Sequence, residues 1–404
     1  MARHPTLQVL ESRELRAFLA SRFLRSISQT GLAATLAWHL YEQTGSVFQL
    51  GMLGLVQFLP VLPIGLWAGA IADARERVGI VQRAQFGASL FAFGLAGFAS
   101  WGAEGGAWPI FALAFLGAVC DAFENPASSA ILPNLVARED FPVAVTVVSA
   151  ARNAAWASGP VLAGFVIAEG GIAASYALNG SLMLGSVAAL AAMGRRVHAE
   201  EGQTVSWAAI REGLSFVMHR QPVIGCMALD LFAVIFAGVD ALLPVFAKDI
   251  LGAGPEGFGA LSGAIQLGTF AMASVLLFLP PIRNVGRVLL VAVAGFGLAT
   301  LLFAVSASFA LSFAALFLSG MADQISMVLR TTIIQLSTPD TLRGRVSAVS
   351  MVFIGASNEL GRAESGFLAA LTSAVFSVLF GGAACLATVG VVAGSLPELR
   401  RFKI

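Results

Sequence analysis

The sequence predicts an all-α membrane protein with twelve transmembrane helices in two pseudo-symmetric six-helix halves. Three observations predict it. The composition is too apolar for a soluble core, about twelve apolar runs are long enough to cross a bilayer, and basic residues in the connections concentrate on one side.

Charged residues make up 12% of the 404-residue chain and apolar ones 57%, against about 25% and 45–50% in soluble domains. Mean hydropathy is +0.84. The net charge of +1 says nothing about partners, but no long basic run is present, which sets nucleic acid aside. Cys120, Cys226 and Cys385 are far apart inside apolar runs, which fits neither a disulfide framework nor a metal site. His4, His39, His198 and His219 are equally scattered. No phosphate-binding loop is present, so ATP is not the expected energy source. Neither a metal nor a cofactor is expected, and no nucleophile–base pair points to an enzyme.

The first apolar run begins near Leu15, is interrupted by Arg22 and Arg25 and continues to about Tyr41. That interruption reads as a retained first span rather than a signal peptide. The runs that follow are 47–71, 78–100, 108–132, 141–168, 171–194, 222–248, 257–280, 287–306, 309–336, 345–371 and 374–396. Connections on one side hold Arg75, Arg77, Arg138, Arg195, Arg196, Arg211, Arg220, Arg283 and Arg343, together with both termini. The opposite connections hold Lys248. By the positive-inside rule both termini are cytoplasmic.

The longest connection, 195–221, separates a first half (1–194) from a second (222–404). Its Trp207, Ile210, Leu214 and Val217 recur at helical spacing, with Arg211, Glu212 and Ser215 between them. The pattern fits an amphipathic helix on the membrane surface, with a disordered linker as the alternative. The halves echo faintly at an offset of about 200 residues, as inverted or parallel repeats do: Asp121 answers to Asp323, Leu135 to Leu336, and Val145 and Ser149 to Val346 and Ser350.

Between the second and third runs lies Gly69-Ala-Ile-Ala-Asp73-Ala-Arg75-Glu76-Arg77. This loop resembles the signature loop of the major facilitator superfamily: Gly, three residues, Asp, a basic residue, any residue, Gly, then two basic residues. Ala74, Glu76 and Val78 depart from that pattern. Further segments resemble the superfamily's drug and siderophore efflux branch, which contains the enterobactin exporter. They are Trp38–Ser46 with Leu50–Pro60, Phe123-Glu-Asn-Pro126, Leu242-Leu-Pro244-Val-Phe-Ala, and Thr338-Pro-Asp-Thr-Leu-Arg343-Gly-Arg345-Val-Ser running on to Asn358-Glu359-Leu-Gly361. Arg362 stands where that branch is usually acidic, and Asp121 lies near a position that often carries Arg.

The resemblance implies that spans 1, 4, 7 and 10 line a central cavity. It also implies that the Asp73 loop contacts the start of span 11, near Arg343 and Arg345, as a cytoplasmic gate formed by Gly69, Asp73, Arg75, Arg77, Arg343 and Arg345. Gly159-Pro160 with Gly164 resembles a motif of antiporting exporters. Alternatively it is an ordinary Gly-Pro kink, since Pro removes a backbone hydrogen bond.

Ionisable residues inside a membrane are costly and normally face a cavity or a partner. Span 1 carries Arg22, Arg25 and Gln29, span 4 Asp121 and Glu124, span 7 Asp230 and Asp240, and span 10 Asp323 and Arg330. These are the expected substrate-cavity residues. Arg22 and Arg25 lie roughly 10–15 Å into span 1 at 1.5 Å per residue, a depth that Asp121 and Glu124 match from the other direction. An Arg–carboxylate pair between the two spans follows, either a fixed bridge or a switchable one. Asp230 and Asp323, with no evident local partner, are the proton-coupling candidates; capping or water contact is the alternative. Glu359 and Arg362, at i and i+3, neutralise each other in a span-11 network with Asn358.

The function expected is secondary active transport by alternating access. The protein is read as a proton-coupled exporter (an antiporter) of a small organic molecule such as a drug or siderophore, monomeric in the bacterial inner membrane. The alternatives are a metabolite importer or uniporter, or a membrane sensor without transport.

Overall fold

The protein is known from a computed structural model that describes residues 11–60, 63–64, 67–68, 71, 75–102, 106–137, 139–194, 207–280, 282–339 and 342–403. Gly69 and Asp73 of the expected gate lie outside these residues, as do Arg138, Arg195 and Arg196. The described residues are almost wholly helical and contain no strand.

The long helices are α1 (Arg13–Thr44), α2 (Val47–Phe58), α3 (Arg77–Ser100), α4 (Trp108–Ser129), α5 (Phe141–Met193) and α6 (Trp207–His219). They continue as α7 (Gln221–Ala237), α8 (Gly254–Leu276), α9 (Val285–Val305), α10 (Phe309–Ser337), α11 (Arg343–Leu371) and α12 (Ala374–Ser395). Local chemistry sets several ends. Ser12 caps α1 by accepting from the Leu15 amide, and Gly45, at φ 58°, closes it in the left-handed conformation. Glu76, which departs from the superfamily pattern, caps α3: its Oε2 accepts from the Gly79 amide at 2.9 Å.

α5 runs for 53 residues, which at 1.5 Å per residue is about 80 Å, far more than a hydrocarbon core of about 30 Å. Gly171, at φ 80° and ψ 174°, breaks it into two arms. A side chain there would be strained, so the chain turns where a Cβ is missing. The arms match the fifth and sixth predicted spans, and the helices are consistent with twelve crossings. Seven apolar helical stretches qualify as spans on length and hydropathy alone, counting α5 as one. α1 and α11 are long enough but carry more charge, which the fold must satisfy internally.

α7 does not run the full length of its predicted span. It stops at Ala237, passes through extended Gly238, and resumes as a 3₁₀ turn (Asp240–Leu242), a short helix and a π turn (Phe246–Ile250). Backbone groups freed by a break need partners at membrane depth. Ser365 Oγ donates to the Gly238 carbonyl at 3.0 Å.

Two compact units emerge from the packing: Met1–Gly45, Val56–Thr204 and Gly254–Gly263 form the first, and Ser46–Leu55, Val205–Ala253 and Ala264–Ile404 the second. In the first, a core of Leu15, Phe18, Val81, Ile131, Leu132, Leu190 and Met193 joins α1, α3, the end of α4 and the second arm of α5. In the second, Cys226, Leu229, Leu289, Val293, Ile333 and Cys385 join α7, α9, α10 and α12. All three cysteines are free thiols, two of them in or beside these cores. On α9 the opposite stripe, Val291, Leu298, Leu302 and Val305, is exposed and suited to lipid.

Candidate functional site

Each unit holds ionisable groups inside its helices. In the first, α1 and the second arm of α5 run side by side on a polar ladder. Ser21 Oγ and Ser186 Oγ are 2.7 Å apart, Ser28 Oγ donates to the Asn179 carbonyl at 2.9 Å, and Thr35 Oγ1 and Ser175 Oγ are 2.7 Å apart. His39 Nδ1 meets Tyr176 Oη at 3.1 Å beyond them. Positions 21, 28 and 35 are two helical turns apart, so they share one face. Small hydroxyl side chains let the backbones approach while every polar group stays paired.

That register fixes Arg25, which is almost fully buried. Its Nε donates to Glu124 Oε2 at 2.7 Å, and its Nη2 donates to Asp121. Glu124 also accepts from Gln85 Nε2 at 2.9 Å, and Gln85 Oε1 accepts from Ser186 Oγ at 2.8 Å. The chain Arg25–Glu124–Gln85–Ser186–Ser21 thus ties α1, α3, α4 and α5 together. Arg22 donates to Ser128 Oγ at 2.7 Å and lies 4.0 Å from Glu124. The side chain of Asp121 is 33% exposed against 3% for Glu124, so Asp121 is the accessible member of the trio. Gln29 is half-buried one turn further along α1.

The pairing expected between spans 1 and 4 is present. Gln85 and Ser186 were not anticipated, because uncharged polar residues in apolar runs carry no distinct sequence signal. Arg152 was also missed, although it is charged and lies within the fifth run. Its guanidinium stacks 5.1 Å from the Trp156 ring and acts electrostatically on Arg22.

Gly159 and Gly164 are contact points. A Cβ on Gly159 would collide with Thr30 Oγ1 and stand 2.6 Å from the Ile27 carbonyl of α1. One on Gly164 would meet the Pro255 carbonyl and come within 2.9 Å of Gly259 Cα in the first turns of α8. The backbone remains helical through Pro160, and the break lies at Gly171 instead. Two glycines five residues apart therefore bring α5 against two different helices.

In the second unit, Arg330 of α10 donates to Asp230 of α7. Asp230 therefore has a partner, contrary to the expectation from sequence; α7 and α10 carry it and Arg330 100 residues apart, which no local pattern reveals. Asp323, two helical turns from Arg330, feels the charges of Arg330, Asp230 and Asp240 but makes no hydrogen bond among the described residues. Asp240 is exposed at the α7 break, and its charge reaches Arg362. Arg362 Nη1 donates to both Glu359 carboxylate oxygens at 3.1 Å, and Asn358 beside them is exposed.

Of the expected gate residues, Arg77 Nη1 donates to the Ala130 carbonyl at 3.2 Å, while Arg75 and Arg343 are exposed. Arg345 donates to Glu212 of α6. Among the described residues no group of His, Cys, Asp or Glu is arranged to hold a metal ion.

A family model described as a transmembrane secretion effector, within the major facilitator superfamily, matches residues 16–403. The chain belongs to that family. It is a multi-pass membrane transporter and not an enzyme. The chain is 26% identical over 389 residues to the enterobactin exporter EntS of Salmonella choleraesuis strain SC-B67, covering 96% of this chain and 93% of that protein. The enterobactin exporter of Escherichia coli O1:K1 / APEC is 24% identical over 392 residues, with the same coverage. Solved transporters share the fold. A POT family transporter in complex with a thioalcohol-conjugated peptide aligns with a TM-score of 0.75 at 11% identity, covering 96% of each chain. The nucleoside transporter NupG aligns with a TM-score of 0.71 at 13% identity, covering 96% of this chain and all of that one. The major facilitator fold is thereby established for this family member.

Proposed function

We propose that this transporter exports a small organic molecule in exchange for protons, by alternating access, with both termini in the cytoplasm of a bacterium. The observation that carries export is the near full-length similarity to enterobactin exporters. A siderophore or a drug-like compound is the proposed cargo class, and the division into 1–194, 195–221 and 222–404 belongs to the same proposal.

Proton coupling is assigned to the α7–α10 cluster. An antiporter needs a carboxylate that takes up a proton from one side and releases it to the other, and a neighbouring cation whose pairing changes as it does so. Asp323, without a hydrogen bond among the described residues, and Asp230, held by Arg330, meet that need in one unit. The first unit supplies a complementary element. Arg25 and Glu124 form a fixed buried pair, and half-exposed Asp121 supplies a carboxylate open to solute. Arg22 and Arg152 add positive charge around the Arg25 cluster, whereas Asp240 and Asp323 leave the surroundings of the Asp230–Arg330 pair acidic. Groups of both signs favour a polar or zwitterionic solute over a purely apolar one.

The test is uptake of enterobactin, and of a panel of amphipathic organic cations, into everted membrane vesicles energised with an acidic lumen. Accumulation that collapses when the pH gradient is dissipated supports proton-coupled export. Gradient-independent equilibration of every compound indicates a uniporter instead.

A further inference from the structure

The helix α6 presents two apolar faces, and among the described residues only one of them packs against the rest of the protein. Val217 is buried against Val223, Met227, Val346 and Val349, with Phe216 packed alongside, so this face is docked on α7 and α11. Leu214 and Met218, one turn apart, point elsewhere and are 40% and 59% exposed. The single apolar stripe read from sequence is therefore split: Val217 belongs to the protein interior and Leu214 to the outer face. Side chains of Trp207 and Ile210 lie outside the described residues.

Position and charge identify what covers the outer face. Only Arg220 separates α6 from α7, a membrane-crossing helix, and α6 is docked laterally on the first turns of α7 and α11. It consequently lies at the level of the lipid headgroups. Arg211 and Arg220 are exposed, and the Arg220 guanidinium rests 5.7 Å from the Phe216 ring. The one acidic residue of α6, Glu212, is already engaged by Arg345. What remains outward is apolar surface flanked by cations, the pattern that seats an interfacial helix on an anionic leaflet.

We propose that α6 is a docking surface for anionic phospholipid, with Leu214 and Met218 entering the leaflet and Arg211 and Arg220 contacting phosphate headgroups. Because Glu212 grips Arg345 in the first turn of α11, the leaflet and α11 hold the same helix from opposite sides. This inference stands whether the transporter exports or imports.

The full chain, with Cys120, Cys226 and Cys385 replaced by Ala, carries a nitroxide at Met218→Cys or, on the polar face, Ser215→Cys. Each protein is reconstituted in phosphatidylcholine vesicles with or without phosphatidylglycerol. The expected result is that the label at 218 is accessible to oxygen and shielded from a water-soluble nickel chelate. Shielding should deepen severalfold with phosphatidylglycerol, lose that dependence in Arg211→Gln/Arg220→Gln, and be absent at 215. Nickel access at 218 equal to that at 215 overturns the proposal, and so does shielding equal in both vesicle types. Spin–spin broadening between labels also overturns it, since a second copy would then cover the face.

Discussion

Arg25 of α1 and Glu124 of α4, 99 residues apart in sequence, share a buried charge-assisted hydrogen bond of 2.7 Å. Asp121 holds the other arm of the guanidinium and Gln85 the other oxygen of Glu124. A buried pair need not add stability over an apolar one, but removing a single member strands its partner, at a cost of about 3–5 kcal/mol. Arg25→Ala should therefore lower the unfolding free energy by about that amount, measured by denaturant or thermal unfolding in detergent micelles. Glu124→Gln keeps an acceptor for Arg25 and should cost less, about 1–3 kcal/mol.

Gly159→Ala tests the contact reading of the Gly-Pro segment. The added Cβ faces a side chain, Thr30, and a backbone carbonyl, Ile27. Overpacking of this kind costs about 1–3 kcal/mol. Trimming Thr30 to Ala should not restore stability in Gly159→Ala, because the Ile27 carbonyl stays 2.6 Å away. Full rescue by Thr30→Ala would show that the backbone approach is looser than described.

The carboxylates of the second unit should separate by stability. Asp230→Asn removes the charge that Arg330 grips, and a hydrogen bond to a charged group is worth about 1.5–3 kcal/mol. Asp323→Asn breaks no hydrogen bond among the described residues and removes a partly buried charge, so its unfolding midpoint should be equal to or above that of the parent protein. Both are read from the same unfolding curves, which makes the ordering of the two variants the measured quantity.

Glu212→Gln weakens the tie between α6 and α11. Both side chains are substantially exposed, 56% for Glu212 and 40% for Arg345, and exposed pairs contribute about 0.2–1 kcal/mol. Global stability should barely move. Amide exchange over 207–219 should accelerate several-fold while exchange over α9 stays unchanged.

The fold was legible because lipid imposes a simple rule: a crossing helix is a long apolar run, and its ends carry the charges. Predicted and observed bounds agree to within a few residues for most helices, and even the turn at Gly171 coincides with the start of the sixth predicted run. The break in α7 was not legible, since Gly238 and Pro244 lie in a run that hydropathy reads as continuous. At the clusters, charge in an apolar run marked Arg25, Asp121, Glu124, Asp230 and Arg330. Which groups meet depends on helix rotation and depth. Sequence therefore left Asp230 without its partner and gave no sign of Gln85 or Ser186, whose polarity shows only when Glu124 is beside them.

Proton counterflow tests the central claim most directly. A pH-sensitive dye is enclosed in everted vesicles with an acidic lumen, and a compound accepted by the parent protein is added outside. Proton-coupled export predicts substrate-triggered proton efflux from the lumen in the parent protein, and its loss in both Asp323→Asn and Asp230→Asn even where the protein remains folded. Undiminished substrate-driven proton efflux in both variants would contradict the account.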